Sequence, residues 1–303
     1  MSTDQELLEL QGQLQRCTAP VPPKEDLRLF LKLAREARVP NAELVARYGA
    51  QLLSHHRRGL PEEELWILHE QVAAAALECG AGALAADLIR AVLRRFPEDS
   101  IRAKRLQGMY YEAQGKVDQA EEFYHEIIQE HPTNQIIAKR LVAVCRTKGD
   151  LPGAVEYLKT YLDFWMNDRP AWEELTDLYL EMGLYRQAAF CLEELITLAP
   201  GEPNLHVRYA DVLLTLGGPA NARTARAYYS KAVALTRGRS ARALYGLVAC
   251  AGQLQAGSSD AGAKPEAAEL PAAAADALLR LYRDAAPAKV PLVEALLRRQ
   301  GLM

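Results

Sequence analysis

Between Ala171 and Pro200 the apolar residues fall on two helical stripes. Trp172, Leu175 and Tyr179 succeed one another at spacings of three and four, and Ala188, Leu192 and Leu195 repeat the pattern further on. Both spacings return to one face of a 3.6-residue helix. Gly183 stands between the stripes, where a residue in the left-handed conformation lets a helix end and the chain turn back. The same punctuation recurs along the chain, since Gly115, Gly149, Gly183 and Gly217 lie 34 residues apart and Gly80 precedes Gly115 by 35. Pro97, Pro132 and Pro200 close the second helices, because proline lacks the next amide donor and restricts the residue before it. Every second helix also carries a small residue at one slot: Ala85, Ala120, Ala154, Ala188 and Ala225. There the paired helices are expected to approach most closely, so a long side chain would force them apart.

A period of 34 residues is that of the tetratricopeptide repeat, whose units bury their apolar faces on their neighbours. The predicted fold is therefore all-α, a right-handed superhelical tetratricopeptide-repeat solenoid with helical caps. Five units are read, at Glu64 to Pro97, Ser100 to Pro132, Asn134 to Met166, Asp168 to Pro200 and Pro203 to Arg237, with a sixth first helix from near Ser240. The insertion Gly218-Pro219-Ala220 is expected to delay the second helix of the fifth unit. Helical periodicity at Lys24 to Ala37 and Asn41 to Ser54, without the repeat signature, marks residues 1–63 as an N-terminal cap. The array proper is read as residues 64–254. Residues 255–265, rich in Gly, Ser and Ala, are read as a flexible linker. Residues 266–303 are then left to two C-terminal helices, Glu266 to Ala285 and Val290 to Arg299, which either cover the last apolar face or dock on a partner.

Composition narrows the functional classes. A net charge of −3 over 303 residues gives no global attraction to phosphate, so nucleic acid is not an expected partner. No apolar run reaches the 18 or more residues of a spanning helix. Asp4, Glu6 and Glu9 interrupt the leucines at the start, unlike a secretory signal. Ser2 and the final Gln300-Gly301-Leu302-Met303 offer no lipidation motif. The expectation is a cytosolic chain that reaches membranes only through partners. The five cysteines, Cys17, Cys79, Cys145, Cys191 and Cys250, form no C-x-x-C pair and are expected to be reduced and mostly buried.

Catalytic and ligand motifs are missing. No phosphate loop, H-E-x-x-H, G-x-S-x-G or paired metal-ligand spacing occurs, so no catalytic residue, metal, cofactor or small-molecule substrate is assigned. His55-His56 is read as a solvated helix end, because adjacent helical residues point about 100° apart. Trp66, Trp165 and Trp172 are read as core packing. Candidate chemistry lies on the inner face, formed by first-helix residues turned away from their own unit. Arg102, Arg105, Lys139 and Arg146 make it basic in the second and third units, and Glu173, Asp177 and Glu181 make it acidic in the fourth. A groove of segregated charge suits a partner segment of matching polarity.

The array also resembles a particular family, subunit 2 of the endoplasmic reticulum membrane protein complex. The resemblance rests on Leu65-Trp66-Ile67-Leu68 with Glu70-Gln71-Val72, Arg95-Phe96-Pro97, Lys104-Arg105-Leu106 with Gly108-Met109, and Pro132-Thr133-Asn134. It continues in Ala171-Trp172, in Ala188-Ala189-Phe190-Cys191-Leu192-Glu193-Glu194-Leu195, and in Ala243-Leu244-Tyr245-Gly246-Leu247, so it spans Glu64 to Ala251. It implies a non-catalytic scaffold, peripheral on the cytoplasmic face of the endoplasmic reticulum membrane, bridging membrane-embedded subunits and a cytosolic one. The machine that it implies inserts tail-anchored and multispanning proteins. The alternative is a co-chaperone or adaptor that grips a chaperone tail through a clamp of cations and asparagines. The five clamp slots here hold Arg105, Met109, Arg140, Pro170 and Glu174, which lacks both asparagines and one cation.

Overall fold

The computed structural model describes residues 3–37, 41–97, 100–257 and 266–302. Among the described residues there are sixteen α-helices and no strand, and the chain divides into two compact units, Met1–Asp150 and Leu151–Met303. Unit 1 holds α1 (Thr3–Arg16), α2 (Lys24–Ala37), α3 (Ala42–His55), α4 (Glu62–Glu78), α5 (Gly82–Arg95), α6 (Ile101–Ala113), α7 (Val117–Glu130) and α8 (Gln135–Lys148). Unit 2 holds α9 (Leu151–Phe164), α10 (Arg169–Glu181), α11 (Tyr185–Leu198), α12 (Pro203–Leu216), α13 (Pro219–Leu235), α14 (Ala241–Gly257), α15 (Glu266–Ala285) and α16 (Val290–Arg299). Within each unit successive helices pack as hairpins.

The repeating glycines work as the spacing requires. Gly80, Gly115, Gly149 and Gly183 have φ of +76°, +73°, +76° and +70°. Past each one, the next amide reaches five residues back, as Ala81 to Ala76, Lys116 to Tyr111, Asp150 to Cys145 and Leu184 to Tyr179. This satisfies carbonyls that the helix end would otherwise leave open. Gly217 departs from the set: its φ is 71° but its ψ is −178°, and Gly218 follows at φ 87° to cap α13. Pro219 then starts α13 at once, two residues after Gly217 as Tyr185 starts α11 two after Gly183. The insertion therefore lengthens the second helix to 17 residues, against 14 in α11, and does not delay it. Pro219 at the first turn loses no hydrogen bond and has its φ preset for a helix.

Ala85, Ala120, Ala154, Ala188 and Ala225 are fully buried along the second helices. A second kind of close approach lies on the first helices. A Cβ on Gly108 would stand 2.3 Å from the ring of Tyr124, and one on Gly246 would stand 2.3 Å from the ring of Tyr229. Both tyrosines are fully buried, and their hydroxyls donate to Glu112 and Asp211. Those carboxylates pair in turn with Arg140 of α8 and Arg242 of α14. Each ring thus fills the groove that its glycine opens, and the phenol is satisfied where an unpaired one would be costly.

The ends of the chain are built into the two units. In α1, which falls within the expected helical cap but was not named as a separate helix, Leu7, Leu10 and Leu14 are buried against the same core as Leu27, Phe30 and Leu31 of α2. At the other end, Ala274, Ala275, Leu278 and Leu279 of α15 and Val293 and Leu297 of α16 share a core with Leu244, Leu247 and Val248 of α14. Of the two roles open to the C-terminal helices, they take the covering one. The helix α14 runs to Gly257, so the first three residues of the expected linker are helical, and residues 258–265 lie outside those described. Cys145, Cys191 and Cys250 are buried, Cys17 is half-buried and Cys79 is exposed.

Candidate partner-binding surfaces

On the first-helix face of unit 1, Arg102, Arg105, Met109 and Glu112 form one stripe of α6, at spacings of three and four. The two arginines do not stand free. Both reach Glu70 of α4, Arg102 at 2.5 Å and Arg105 at 3.1 Å, and the Glu70 side chain is only 10% exposed. Burial pushes its carboxyl above the usual range, and the two guanidiniums act against that push. Arg105, 27% exposed, is therefore a structural ion-pair partner as well as a surface cation. Lys139 and Arg146 are exposed on α8.

Beside this stripe a cleft of about 540 Å³ opens, lined by Ala74, Leu77 and Glu78 of α4, Met109, Glu112 and Ala113 of α6, and Arg140 of α8. Its central polar contact is already made, because Arg140 donates to Glu112, which also takes the Tyr124 hydroxyl. Two of the chaperone-clamp slots, Arg105 and Arg140, are thus committed to carboxylates of the chain itself. On α10, the acidic set is similarly engaged: Glu173 pairs with Arg169 at 2.7 Å, and Asp177 pairs with Arg208 of α12. Glu181 is exposed.

Unit 2 carries a different surface, which sequence patterning did not single out. A cleft of about 670 Å³ lies between α9 and α11, with α10 as its floor. Leu162 and Met166 line it from α9 and the turn after it, Trp172, Leu175 and Tyr179 from α10, and Phe190 and Cys191 from α11. Trp172 is held by a 2.8 Å bond from its indole nitrogen to the Met166 carbonyl, and its ring meets Phe190 edge-on at 6.2 Å between centroids. The floor stays uncharged, since burial pushes the Cys191 thiol up to about 12 and raises the Tyr179 phenol. On the cleft walls, Phe190 is 55% and Met166 68% exposed. Trp165, expected in the core, is 38% exposed, because α9 ends at Phe164 and leaves it in the turn.

The signal that would have found this cleft is positional. In α11 the buried stripe runs through Ala188, Leu192 and Leu195, and Phe190 sits two residues, about 200°, off it. A bulky aromatic on the polar side of an amphipathic helix marks an interaction surface more often than a core.

Among the described residues no group of three or more His, Cys, Asp or Glu side chains is arranged to hold a metal ion. No helix among them is long and apolar enough to cross a membrane.

Comparison with known proteins gives these surfaces a context. A family model described as the EMC2 TPR-like repeat domain matches residues 83–221. ER membrane protein complex subunit 2 of Xenopus tropicalis is 38% identical over 223 residues, covering 74% of this chain and 74% of that protein. The subunit 2 of Dictyostelium discoideum is 30% identical over 209 residues, 69% of this chain and 65% of that one. Among solved structures, the C-terminal part of a TPR repeat-containing protein from Cytophaga hutchinsonii matches with a TM-score of 0.56 at 14% identity, covering 84% of this chain and 95% of that one. That likeness concerns the fold, an all-α tetratricopeptide-repeat architecture. Together with the 34-residue period and the alanine seam, the extent of the sequence match establishes that this chain belongs to the family of ER membrane protein complex subunit 2.

Proposed function

We propose that the chain is a non-catalytic scaffold subunit of the endoplasmic reticulum membrane protein complex, peripheral on the cytoplasmic face of the membrane. It bridges membrane-embedded subunits to a cytosolic one, and thereby supports insertion of tail-anchored and multispanning proteins. The observation that carries this reading is the 38% identity to the Xenopus tropicalis subunit across three quarters of both chains. A repeat array suits the role, because each hairpin adds surface without enclosing an active site. The absence of a spanning helix among the described residues agrees with attachment through partners.

The first-helix face supplies one contact in this account. Lys139 and Arg146, with Arg102 and Arg105 above the Glu70 pair, engage an acidic or carbonyl-rich segment of a partner, and the acidic residues Glu173, Asp177 and Glu181 engage a basic one. Such charges chiefly speed association and fix its polarity. Because Arg105 also supports Glu70, the patch is tested with Lys139→Glu and Arg146→Glu, with the melting of the variant measured beside its binding. The function itself is tested by expressing the chain in cells depleted of their own subunit 2. Levels of the other subunits and insertion of a tail-anchored reporter should both recover. A folded, well-expressed chain that restores neither would refute the proposal.

A further inference from the structure

The cleft of unit 2 has a built-in direction. On α11, Arg186, Phe190 and Glu194 all line it and stand four residues apart, so they form one ridge: a cation, an aromatic ring and an anion. The opposite wall repeats the order, with Lys159 preceding Asp163 by one turn on α9. Both helices pack on α10 as the outer arms of successive antiparallel hairpins, so they run the same way. The two cations therefore lie toward one end of the cleft and the two anions toward the other. Among the described residues Arg186, Asp163 and Glu194 form no salt bridge, whereas Lys159 pairs with the exposed Glu156 at 3.0 Å and also feels the charge of Asp163. Between the charged ends lies the apolar floor of Trp172 and Leu175, walled by Leu162, Met166 and Phe190. The first-helix charges of unit 1 are largely spent on one another; of the four at this rim, only Lys159 is in a salt bridge.

We infer that this cleft receives an amphipathic helix of another subunit of the complex, with an acidic side chain at the Arg186 end and a basic one at the Glu194 end. From Arg186 to Glu194 the ridge spans about 12 Å, or two helical turns. The matching helix therefore places its acid and its base seven or eight residues apart. Two or three apolar side chains at i, i+3 or i+4 between them fill the cleft beside Phe190 and Trp172. An aromatic wall with a charged rim is the usual build of such a contact, the rings providing most of the affinity and the charges fixing the orientation. This inference rests on the scaffold reading, since it takes the occupant from within the complex.

The test is site-specific photocrosslinking in the assembled complex, with a photoreactive residue at exposed Gln187 on the cleft wall, followed by identification of the crosslinked peptide. The expected product is a segment of another subunit with the stated pattern, its acid nearer to Arg186 than its base. Arg186→Glu should then lower recovery of that subunit, and reversing the partner's acid should restore it. Phe190→Asp, on an exposed side chain, should leave melting unchanged and lower recovery of the same subunit by about tenfold or more. An intact complex without a crosslink at Gln187 overturns the inference. So does a product that is a second copy of this chain, or binding of the purified chain to phosphatidylcholine vesicles that Phe190→Asp abolishes, which would make the occupant a lipid surface. If the wild-type chain enters no complex at all, the scaffold reading has failed rather than the assignment of the cleft.

Discussion

The first-helix face of unit 1 and the second-helix cleft of unit 2 are both concave and of similar size, about 540 and 670 Å³. Their chemistry differs. In unit 1 the polar groups are tied into internal networks, Arg102 and Arg105 on Glu70, and Arg140 on Glu112 with Tyr124 beneath. In unit 2 the cleft shows aromatic and aliphatic side chains, and of the charges at its rim only Lys159 is in a salt bridge. The contrast separates two uses of charge in a repeat array. A carboxylate buried between repeats needs its arginines to stay ionised and satisfied, so those arginines serve the fold before they serve a partner. Exposed apolar surface has no such internal duty, and covering it is where association gains most.

The largest effect is expected where both regions rest on the same device. Ala120→Arg in unit 1 and Ala188→Arg in unit 2 each place a long cation at a fully buried position. Overpacking alone costs about 1–3 kcal/mol, and a buried unpaired charge adds to it. Denaturant melts of both variants should show losses above ~3 kcal/mol; wild-type melting in either would mean that the seam is assigned to the wrong residues.

Next come the glycines beneath the buried tyrosines. Gly108→Ala and Gly246→Ala put a methyl group 2.3 Å from an aromatic ring in each unit, and each should cost about 1–3 kcal/mol. Tyr124→Phe combined with Gly108→Ala should not rescue it, because the clash involves ring carbons as well as the hydroxyl oxygen. A neutral result would show that the ring can move aside.

A smaller difference sharpens the contrast between the two surfaces. Arg105→Glu sets a second carboxylate beside buried Glu70 while Arg102 remains, and should cost about 1–2 kcal/mol. Phe190→Asp should change stability by no more than about 0.5 kcal/mol. Equal losses in the two melts would erase the distinction between a structural and an associative surface.

The smallest effect concerns pH. His69 is buried on α4, with Nδ1 2.7 Å from the Leu65 carbonyl, and burial holds its pKa below the ordinary 6.5. The unfolded chain then binds this proton more readily than the folded one. His69 therefore contributes stability above pH 6.5 that is lost as the pH falls through that value toward its folded pKa. Melting temperatures measured from pH 7 to 5.5 should fall less steeply in His69→Gln than in the wild type. Parallel slopes would exclude His69 as the titrating group.

What could be read in the sequence was whatever repeats. The glycine stops, the alanine seam and the paired helices recur at a fixed spacing, so each unit reinforces the reading of the next. Features that occur once escaped it. In α1, the apolar stripe of Leu7, Leu10 and Leu14 sits among acidic and amide residues, and its burial depends on a tertiary partner in α2. The second-helix start at Pro219 was misplaced because a glycine pair resembles a loop until its backbone angles are known. The basic stripe of α6 was visible, but its pairing with Glu70, 32 and 35 residues earlier, depends on how neighbouring first helices align. For the cleft of unit 2 the local signal was Phe190, off the buried stripe of α11, whereas the placing of α9 and α11 on either side of α10 is tertiary.

The central claim, that this chain is a scaffold whose surfaces hold other subunits, is tested most directly by affinity purification of the tagged full chain from detergent-solubilised endoplasmic reticulum membranes, with the bound proteins quantified. The account predicts that wild type recovers membrane-embedded and cytosolic subunits of the complex together, and that Phe190→Asp and the Lys139→Glu, Arg146→Glu pair each lose part of that set while remaining folded. Recovery of cytosolic chaperones alone, without any membrane-embedded subunit, would contradict it.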